Sequence, residues 1–410
     1  MSMLDRLRLK KQYLLPPGLS IRRIIHAYEY GGFDYRFLSG YSFPPKSVCL
    51  IPSEHCNLHC VMCDIGQHDT TGNQPSRLQH NIRAGDTPLS LAEWKQIIHD
   101  LALFWPRPLV LFTGTEPLLY PDIIPLIAEA TCRNVPVHIT TNGTLLSQYA
   151  EEIVALCHRP DDIDITVSID DIGSRHDALR GVPGTFDRAI QGINAVAAAR
   201  RSQHKHAPFI HITCTVTAFN QDHLEDLVKW FIQTRLPITG ITFNHVWFKD
   251  NTIVTQHNAH AEPRYQIGEE NCSGIGIREV DSIGIKRRIA MLRQRYRRIG
   301  FRIHEFPPLS TVEASYYYTD PCRPVFYDRC TAAWRNISIT PRGNVILSPL
   351  CFLPPVGNVR EQPLRTLWNA AAFRDVRRMM RIHKMFPACT RCCMLFGSRP
   401  KYYKLKEWVL

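Results

Sequence analysis

The feature that most restricts this chain is a strand–helix rhythm beginning near residue 46. Six short apolar runs, at residues 47–52, 108–114, 135–141, 163–169, 208–217 and 238–247, read as strands. Helical patterns such as 90–104, 149–157 and 186–200 fall between them. Strands alternating with helices predict a parallel sheet of right-handed crossovers. Six such units make a partial barrel or an open doubly wound sheet. Polar and glycine-bearing residues close several runs, as at Thr113-Gly114, Asn142-Gly143 and Asp170-Asp171. Parallel α/β folds place their sites at those C-terminal strand ends.

A length of 410 residues accommodates such a barrel and one smaller unit. Residues 1–45 read as a basic lead-in, 46–250 as the barrel core, 251–315 as an irregular loop with a linking helix near 285–299, and 316–410 as a cysteine-rich tail. Within the tail, 337–347 reads as a hairpin around Pro341-Arg342-Gly343-Asn344, and 364–382 as a helix. Charged residues make up 21% and apolar ones 44%, which excludes disorder as the main state. The formal charge of +12 suits an anionic partner, though solvated helix faces are the better account of it. No apolar run approaches the ~18 residues of a membrane span, and the basic N-terminus lacks the apolar core of a secretory signal. A cytoplasmic chain is expected.

In such a compartment the 14 cysteines are expected as thiolates rather than disulfides. Cys56, Cys60 and Cys63 form C-x3-C-x2-C directly after the first strand. Three soft thiolates on one tight loop hold three irons of a 4Fe–4S cube. The next cysteine is Cys132, so one iron would stay open to an outside ligand. Spacing alone also admits zinc, completed by His55, His59 or His68.

This C-x3-C-x2-C loop resembles the signature of radical S-adenosylmethionine enzymes, and further motifs follow in order. Thr113-Gly114-Thr115-Glu116-Pro117 resembles the family's Gly-Gly-Glu-Pro segment, with Thr115 replacing the second glycine. Thr141-Asn142-Gly143 closes the third strand, and Ser168-Ile169-Asp170 the fourth, similar to the family's Ser-x-Asp segment. His176-Asp177, Arg180-Gly181 and Gly184-Thr185-Phe186 also look like the family, as do Thr217 and Asn220 after the fifth strand. The resemblance spans residues 47–250 and implies a partial (β/α)6 TIM-like barrel with a small C-terminal α+β domain. It implies cofactor contacts from Met62, Gly114, Thr115, Glu116, Asn142, Ser168 and Asp170, with Glu116 on the methionine amino group and Met62 against the adenine. It also implies an electron donor such as flavodoxin or ferredoxin. The chemistry would be reductive cleavage of S-adenosylmethionine to a 5′-deoxyadenosyl radical that takes hydrogen from a substrate carbon.

The tail reads Cys330-x20-Cys351-x37-Cys389-x2-Cys392-Cys393. It resembles the twitch form of the auxiliary-cluster domain of that family, whose longer form is called SPASM. One auxiliary 4Fe–4S cluster on Cys330, Cys351, Cys389 and Cys392 is implied, with Cys322 and Cys393 as spare thiols; four-cysteine zinc is the alternative. The expected function is oxidation or bond formation on a small or conjugated metabolite. A peptide-modifying maturase and a non-catalytic metal-bearing binding protein are the competing readings. His245, Trp247, Phe248 and Lys249 are candidate substrate contacts at the barrel mouth, and Cys272 a candidate hydrogen donor. No residue is assigned as catalytic base or donor.

Overall fold

The computed structural model describes residues 33–63, 87–268, 279–325, 329–349 and 351–396. One sheet of ten strands organises them, in the order β10-β9-β8-β1-β2-β3-β4-β5-β6-β7. The strands are β1 (Ser47–Leu50), β2 (Leu109–Phe112), β3 (Val137–Thr141), β4 (Ile163–Ser168), β5 (Phe209–Val216), β6 (Gly240–His245), β7 (Arg302–Phe306), β8 (Asn336–Ile339), β9 (Asn344–Ile346) and β10 (Gly357–Asn358). All neighbours from β8 through β1 to β7 pair in parallel, while β9 and β10 are antiparallel. The labelled helices are α1 (Leu91–Ala102), α2 (Ile123–Cys132), α3 (Leu146–Leu156), α4 (Ser174–Arg180), α5 (Thr185–Ser202), α6 (Leu224–Gln233), α7 (Asn251–His260), α8 (Ser282–Tyr296), α9 (Thr311–Tyr317) and α10 (Ala371–His383). The result is a partial TIM-like barrel with a small auxiliary unit at its β1 edge.

The strands alternate in period two, as one apolar face and one polar face require. Val110, Phe112, Val137, Ile139, Ile163, Ile165, Ile210, Ile212, Ile241 and Phe243 face the helices and are at most 1% exposed. Each such side chain contributes roughly 1.5–3 kcal/mol of burial. The opposite face carries His138, Thr140, Ser168, His211, Thr213, Thr215 and Asn244, all half-buried. His211 Nε2 lies 2.8 Å from Thr242 Oγ1. Burial pushes His138 down to about 4 and His211 to about 3, so these two imidazoles are neutral at neutral pH.

The structure departs from the sequence reading in four places. A seventh strand, β7, pairs with β6, and β8 of the tail adds an eighth parallel strand beside β1. The stretch after residue 250 begins with α7 rather than an irregular loop. Asp250 caps this helix by accepting from the Ile253 N–H. The expected helix over 364–382 is broken at 368–370, giving a single turn, Leu364–Leu367, followed by α10. Cys272 and His68 lie outside the described residues.

Two ion pairs pin the tail to the barrel. Arg342, in the β8–β9 turn, meets Glu54 at 2.7 Å, two residues before the first loop cysteine. Arg360 meets Glu93 of α1 at 2.6 Å, and that hydrogen bond is the main reason the Glu93 carboxyl sits down at about 2. Glu93 also completes a capping box with Ser90, a feature worth ~1 kcal/mol. Among the described residues no helix is long and apolar enough to cross a membrane.

Candidate radical and auxiliary cluster sites

Cys56, Cys60 and Cys63 stand on the loop leaving β1, at the C-terminal end of the sheet. The charges of Cys60 and Cys63 both act on Cys56, so the thiols face one region. Burial pushes the Cys56 thiol up to about 12, and it raises Cys60 as well. Metal binding must therefore supply the deprotonation, as it does for any thiolate site.

Two anchors hold this loop. The first is Asn57, inside the cysteine motif. Its amide donates to Thr144 Oγ1 at 3.0 Å, and its Oδ1 accepts from Asn142 Nδ2 at 2.8 Å. Asn142 Oδ1 in turn accepts from the Thr144 N–H at 2.9 Å. The second is the end of α4. The His59 and Val61 N–H groups donate to the carbonyls of Arg180 and Leu179, each at 3.0 Å. The Arg180 guanidinium lies 2.7 Å from Asp170 and 3.7 Å from the Cys60 sulfur. Burial opposes the charge of Arg180, but Asp170 and Cys60 outweigh it and raise its pKa.

Gly181 lets α4 approach so closely. Its φ is +73°, and a Cβ there would stand 2.5 Å from the His59 carbonyl oxygen. Gly181→Ala is expected to cost about 1–2 kcal/mol for the left-handed backbone alone. It should also displace the cysteine loop, so iron bound after anaerobic reconstitution should fall; unchanged iron content and melting temperature would contradict this packing.

The strand-end residues divide into two groups. Gly114 (φ +105°) packs on Ile51, Thr115 donates to the Ser53 carbonyl at 2.7 Å, and Ser168 is half-buried at the end of β4. Met62 is partly buried against the core. Gly114 and Thr115 thus abut the segment that leads from β1 into the loop. Glu116 and Asp170, each 1% exposed, also tie protein groups together. The Glu116 carboxylate accepts from the Leu118 N–H (3.0 Å), the Thr141 hydroxyl (2.8 Å) and the Asn142 N–H (2.7 Å). Burial still raises its pKa to about 7. Asp170 accepts from the Thr215 N–H at 2.8 Å and pairs with Arg180. The Glu116 carboxylate thus has three protein donors, one of them the N–H of Asn142, itself among the residues the resemblance places at the cofactor.

In the tail, Cys330, Cys351, Cys389 and Cys392 line one pocket whose other walls include Phe352, Leu353, Met380 and Met394. Cys322 and Cys393 are not among its lining residues. The Cys389–Cys392 turn is closed by the Cys392 N–H on the Cys389 carbonyl at 3.0 Å. It is fixed by Arg391, 2% exposed, which donates to the carbonyls of Tyr317, Asp320 and Arg323 at 2.7–2.9 Å. Among the described residues no three His, Cys, Asp or Glu groups gather tightly enough for a single metal ion. Four soft thiols in an apolar surround instead suit a larger iron–sulfur group.

The expected substrate contacts at the end of β6 are placed elsewhere. His245 is 1% exposed on the helix-packed face, 3.0 Å from the Tyr318 hydroxyl and 3.3 Å from Glu305. Phe248 stacks on Tyr318, and Trp247 packs edge-on to Phe306. Lys249 is 5% exposed, and its charge acts on Cys351 of the auxiliary pocket.

Residues 50–231 match the Radical SAM superfamily, and residues 330–393 match SPASM, an iron–sulfur cluster-binding domain. The AdoMet-dependent heme synthase of Methanosarcina barkeri is 27% identical over 371 residues, covering 88% of this chain and 92% of that protein. The Fe-coproporphyrin III synthase of the same organism is 32% identical over 145 residues, but only 35% of this chain and 31% of that protein are covered. The crystal structure of Streptococcus suis SuiB bound to S-adenosylmethionine superposes with a TM-score of 0.55 at 16% identity, covering 92% of this chain and 77% of that one. Native anSMEcpe with bound AdoMet gives 0.55 at 16% identity, with 86% and 88% covered. These two likenesses concern the fold alone. The tail's assignment as an iron–sulfur domain decides against zinc. The chain is therefore a radical SAM enzyme, dependent on S-adenosylmethionine and a 4Fe–4S cluster, with a C-terminal auxiliary iron–sulfur domain.

Proposed function

We propose that this enzyme takes a hydrogen atom from a carbon of a small conjugated metabolite, with a tetrapyrrole as the first candidate, in a net oxidation or bond formation. The observation that carries the reading is that one chain joins a three-thiol loop, which would leave one iron of a 4Fe–4S cube without a protein ligand, to a separate pocket lined by four thiols. With a cluster on that loop, bound S-adenosylmethionine would supply the hydrogen-abstracting radical when given one electron. The protein's own residues position and shield that event. Asn57, Asn142 and Thr144 set the height of the loop over the end of β3. Gly114, Thr115 and Ser168 offer the adjacent strand-end surface, with Met62 beside it. Cys56, Cys60 and Cys63 would hold the first cluster; Cys330, Cys351, Cys389 and Cys392 would hold the auxiliary one. Four protein thiols leave the auxiliary site no position for a substrate, which favours an electron-transfer use and hence oxidation. A tetrapyrrole is favoured because the relative matched over 92% of its length is named a heme synthase.

The test is an anaerobic incubation with S-adenosylmethionine, a reductant and either iron porphyrins or peptides. Substrate-dependent 5′-deoxyadenosine, with loss of hydrogen mass from the porphyrin, is expected. Stimulation by a peptide alone would overturn the substrate class; no 5′-deoxyadenosine at all would overturn the reaction.

Glu116 enters through Asn142. In Glu116→Gln an amide N–H would face one of three N–H or O–H donors, a mismatch costing about 1–3 kcal/mol. The expected result is a lower melting temperature together with weaker S-adenosylmethionine binding by calorimetry. A loss of affinity with unchanged melting would restore the direct amino-group contact.

A further inference from the structure

The cysteine loop of the barrel and the auxiliary pocket are joined by one strut. Strands β1 and β8 run parallel with Leu50 opposite Ile339, so their chains leave the sheet side by side. The Ile51 N–H still donates to the Ile339 carbonyl, at 3.0 Å. Beyond that point one chain continues through Glu54 to Cys56, and the other enters the turn Pro341-Arg342-Gly343. The Arg342 guanidinium joins the two again. Its Nε lies 2.7 Å from one Glu54 oxygen and its Nη2 3.2 Å from the other. Just past β9, along the chain that carries Arg342, Leu347, Ser348 and Cys351 line the auxiliary pocket. This segment therefore holds a thiol of the second site at one end and grips the loop of the first at the other.

Exposed ion pairs contribute little, because two wandering side chains must be ordered to make them. Here much of that ordering is built into the fold. The Arg342 carbonyl accepts from Asn358 Nδ2 of β10 at 3.1 Å, and the Pro341 carbonyl accepts from the Leu89 N–H at 2.8 Å. The Gly343 N–H closes the turn on the Thr340 carbonyl at 3.0 Å. On the loop side, the Ser53 carbonyl accepts from the Thr115 hydroxyl, and the Ser53 hydroxyl accepts from the His55 N–H at 3.1 Å. The paired side chains are only 20% and 13% exposed. A two-pronged arginine–carboxylate contact fixes direction as well as distance. Asn57 and the end of α4 hold the loop beyond Cys56, and Glu54 is held before it, so the first thiol is bracketed on both sides.

We propose that Arg342 is a positioning residue for the radical chemistry: through its fork on Glu54, the auxiliary unit sets the stance of the Cys56–Cys63 loop and with it the affinity for S-adenosylmethionine. The role is indirect, exerted through Glu54. It concerns the loop and the cofactor alone, and stands whichever metabolite is turned over.

The test uses iron-loaded full-length protein. Calorimetry reads S-adenosylmethionine binding, and EPR of the reduced loop cluster, with and without S-adenosylmethionine, reads how the cofactor meets it. Arg342→Met should weaken binding about fivefold, the reach of one ion pair of this kind, and diminish the spectral change, with iron content unaltered. Arg342→Lys keeps the charge but loses the fork, and should fall between. Glu54→Gln should act like Arg342→Met. The two together should be no worse than either alone, since both remove one contact. Arg360→Met is the control. It breaks the other two-pronged pair between tail and barrel, with Glu93 of α1, and should lower the melting temperature while leaving affinity and spectrum unchanged. Unchanged affinity in both Arg342→Met and Glu54→Gln, additive losses in the double variant, or an equal loss in Arg360→Met would overturn the proposal.

Discussion

Replacing Cys56, Cys60 and Cys63 together by alanine should leave the protein with about half its iron and no cleavage of S-adenosylmethionine. Two 4Fe–4S groups carry about eight irons per chain. The three thiols hold one of these groups, and nothing else on that loop replaces them: the neighbouring hydrogen bonds of Asn57, His59 and Val61 all go to protein. The auxiliary pocket draws its ligands from residues 330–392 and its walls from the tail. It should therefore keep its iron in the triple variant. Iron analysis and absorbance of the anaerobically reconstituted protein read the first part, and chromatography of 5′-deoxyadenosine the second. Full cleavage activity in the triple variant would remove the loop from the reaction. The reciprocal variant, Cys389→Ala with Cys392→Ala, should spare the loop's iron and leave uncoupled 5′-deoxyadenosine detectable while abolishing substrate conversion. One zinc and only about four irons in natively purified wild-type protein would remove the electron-accepting role of the tail.

The sequence disclosed the six core strands because each is a short run rich in Val, Ile and Phe, bounded by polar or glycine residues. β7 escaped because its apolar content is thin: Arg302, His304 and Glu305 interrupt Ile303 and Phe306, and its pairing with β6 supplies the rest. The hairpin of β8 and β9 was legible from its turn, but the parallel pairing of β8 with β1 joins residues almost 300 positions apart and leaves no local signal. The cysteines announce themselves by spacing. What surrounds them does not. The partner of Glu116 is Asn142, 26 positions away, and the partner of Asn57 is Asn142, 85 positions away. A motif names such residues without saying which protein groups hold them, and the fold gives Glu116 three donors. Lys249 shows the same limit: proximity to β6 suggested a substrate contact, while the packing of the tail brings it to Cys351.

Arg180 is the residue whose importance was least visible and whose loss should be felt most. In sequence it figures only within the Arg180-Gly181 pair that resembles the family, with no role attached to its side chain. In the fold its side chain is 11% exposed, faces the fully buried Asp170 at 2.7 Å, and reaches Cys60. Removing one partner of a buried pair costs about 3–5 kcal/mol, because the other charge is left uncompensated. Burial already raises the Asp170 pKa; Arg180→Met would take away the main group holding it down, so Asp170 should take up a proton on folding. Asp170 also accepts from the Thr215 N–H, so the ends of β4 and β5 should loosen together. The double variant Arg180→Met with Asp170→Asn should recover part of the lost stability, since no charge then remains unpaired. It should not recover the cluster's redox behaviour. A cation beside a ligand sulfur favours the more negative, reduced form of the cluster, and net charge and hydrogen bonds to the sulfurs set its potential. Both variants should therefore show a more negative midpoint for the Cys56–Cys63 cluster in an EPR-monitored titration, while thermal unfolding separates them. An unchanged midpoint in the stable double variant would confine Arg180 to holding β4, β5 and α4 together.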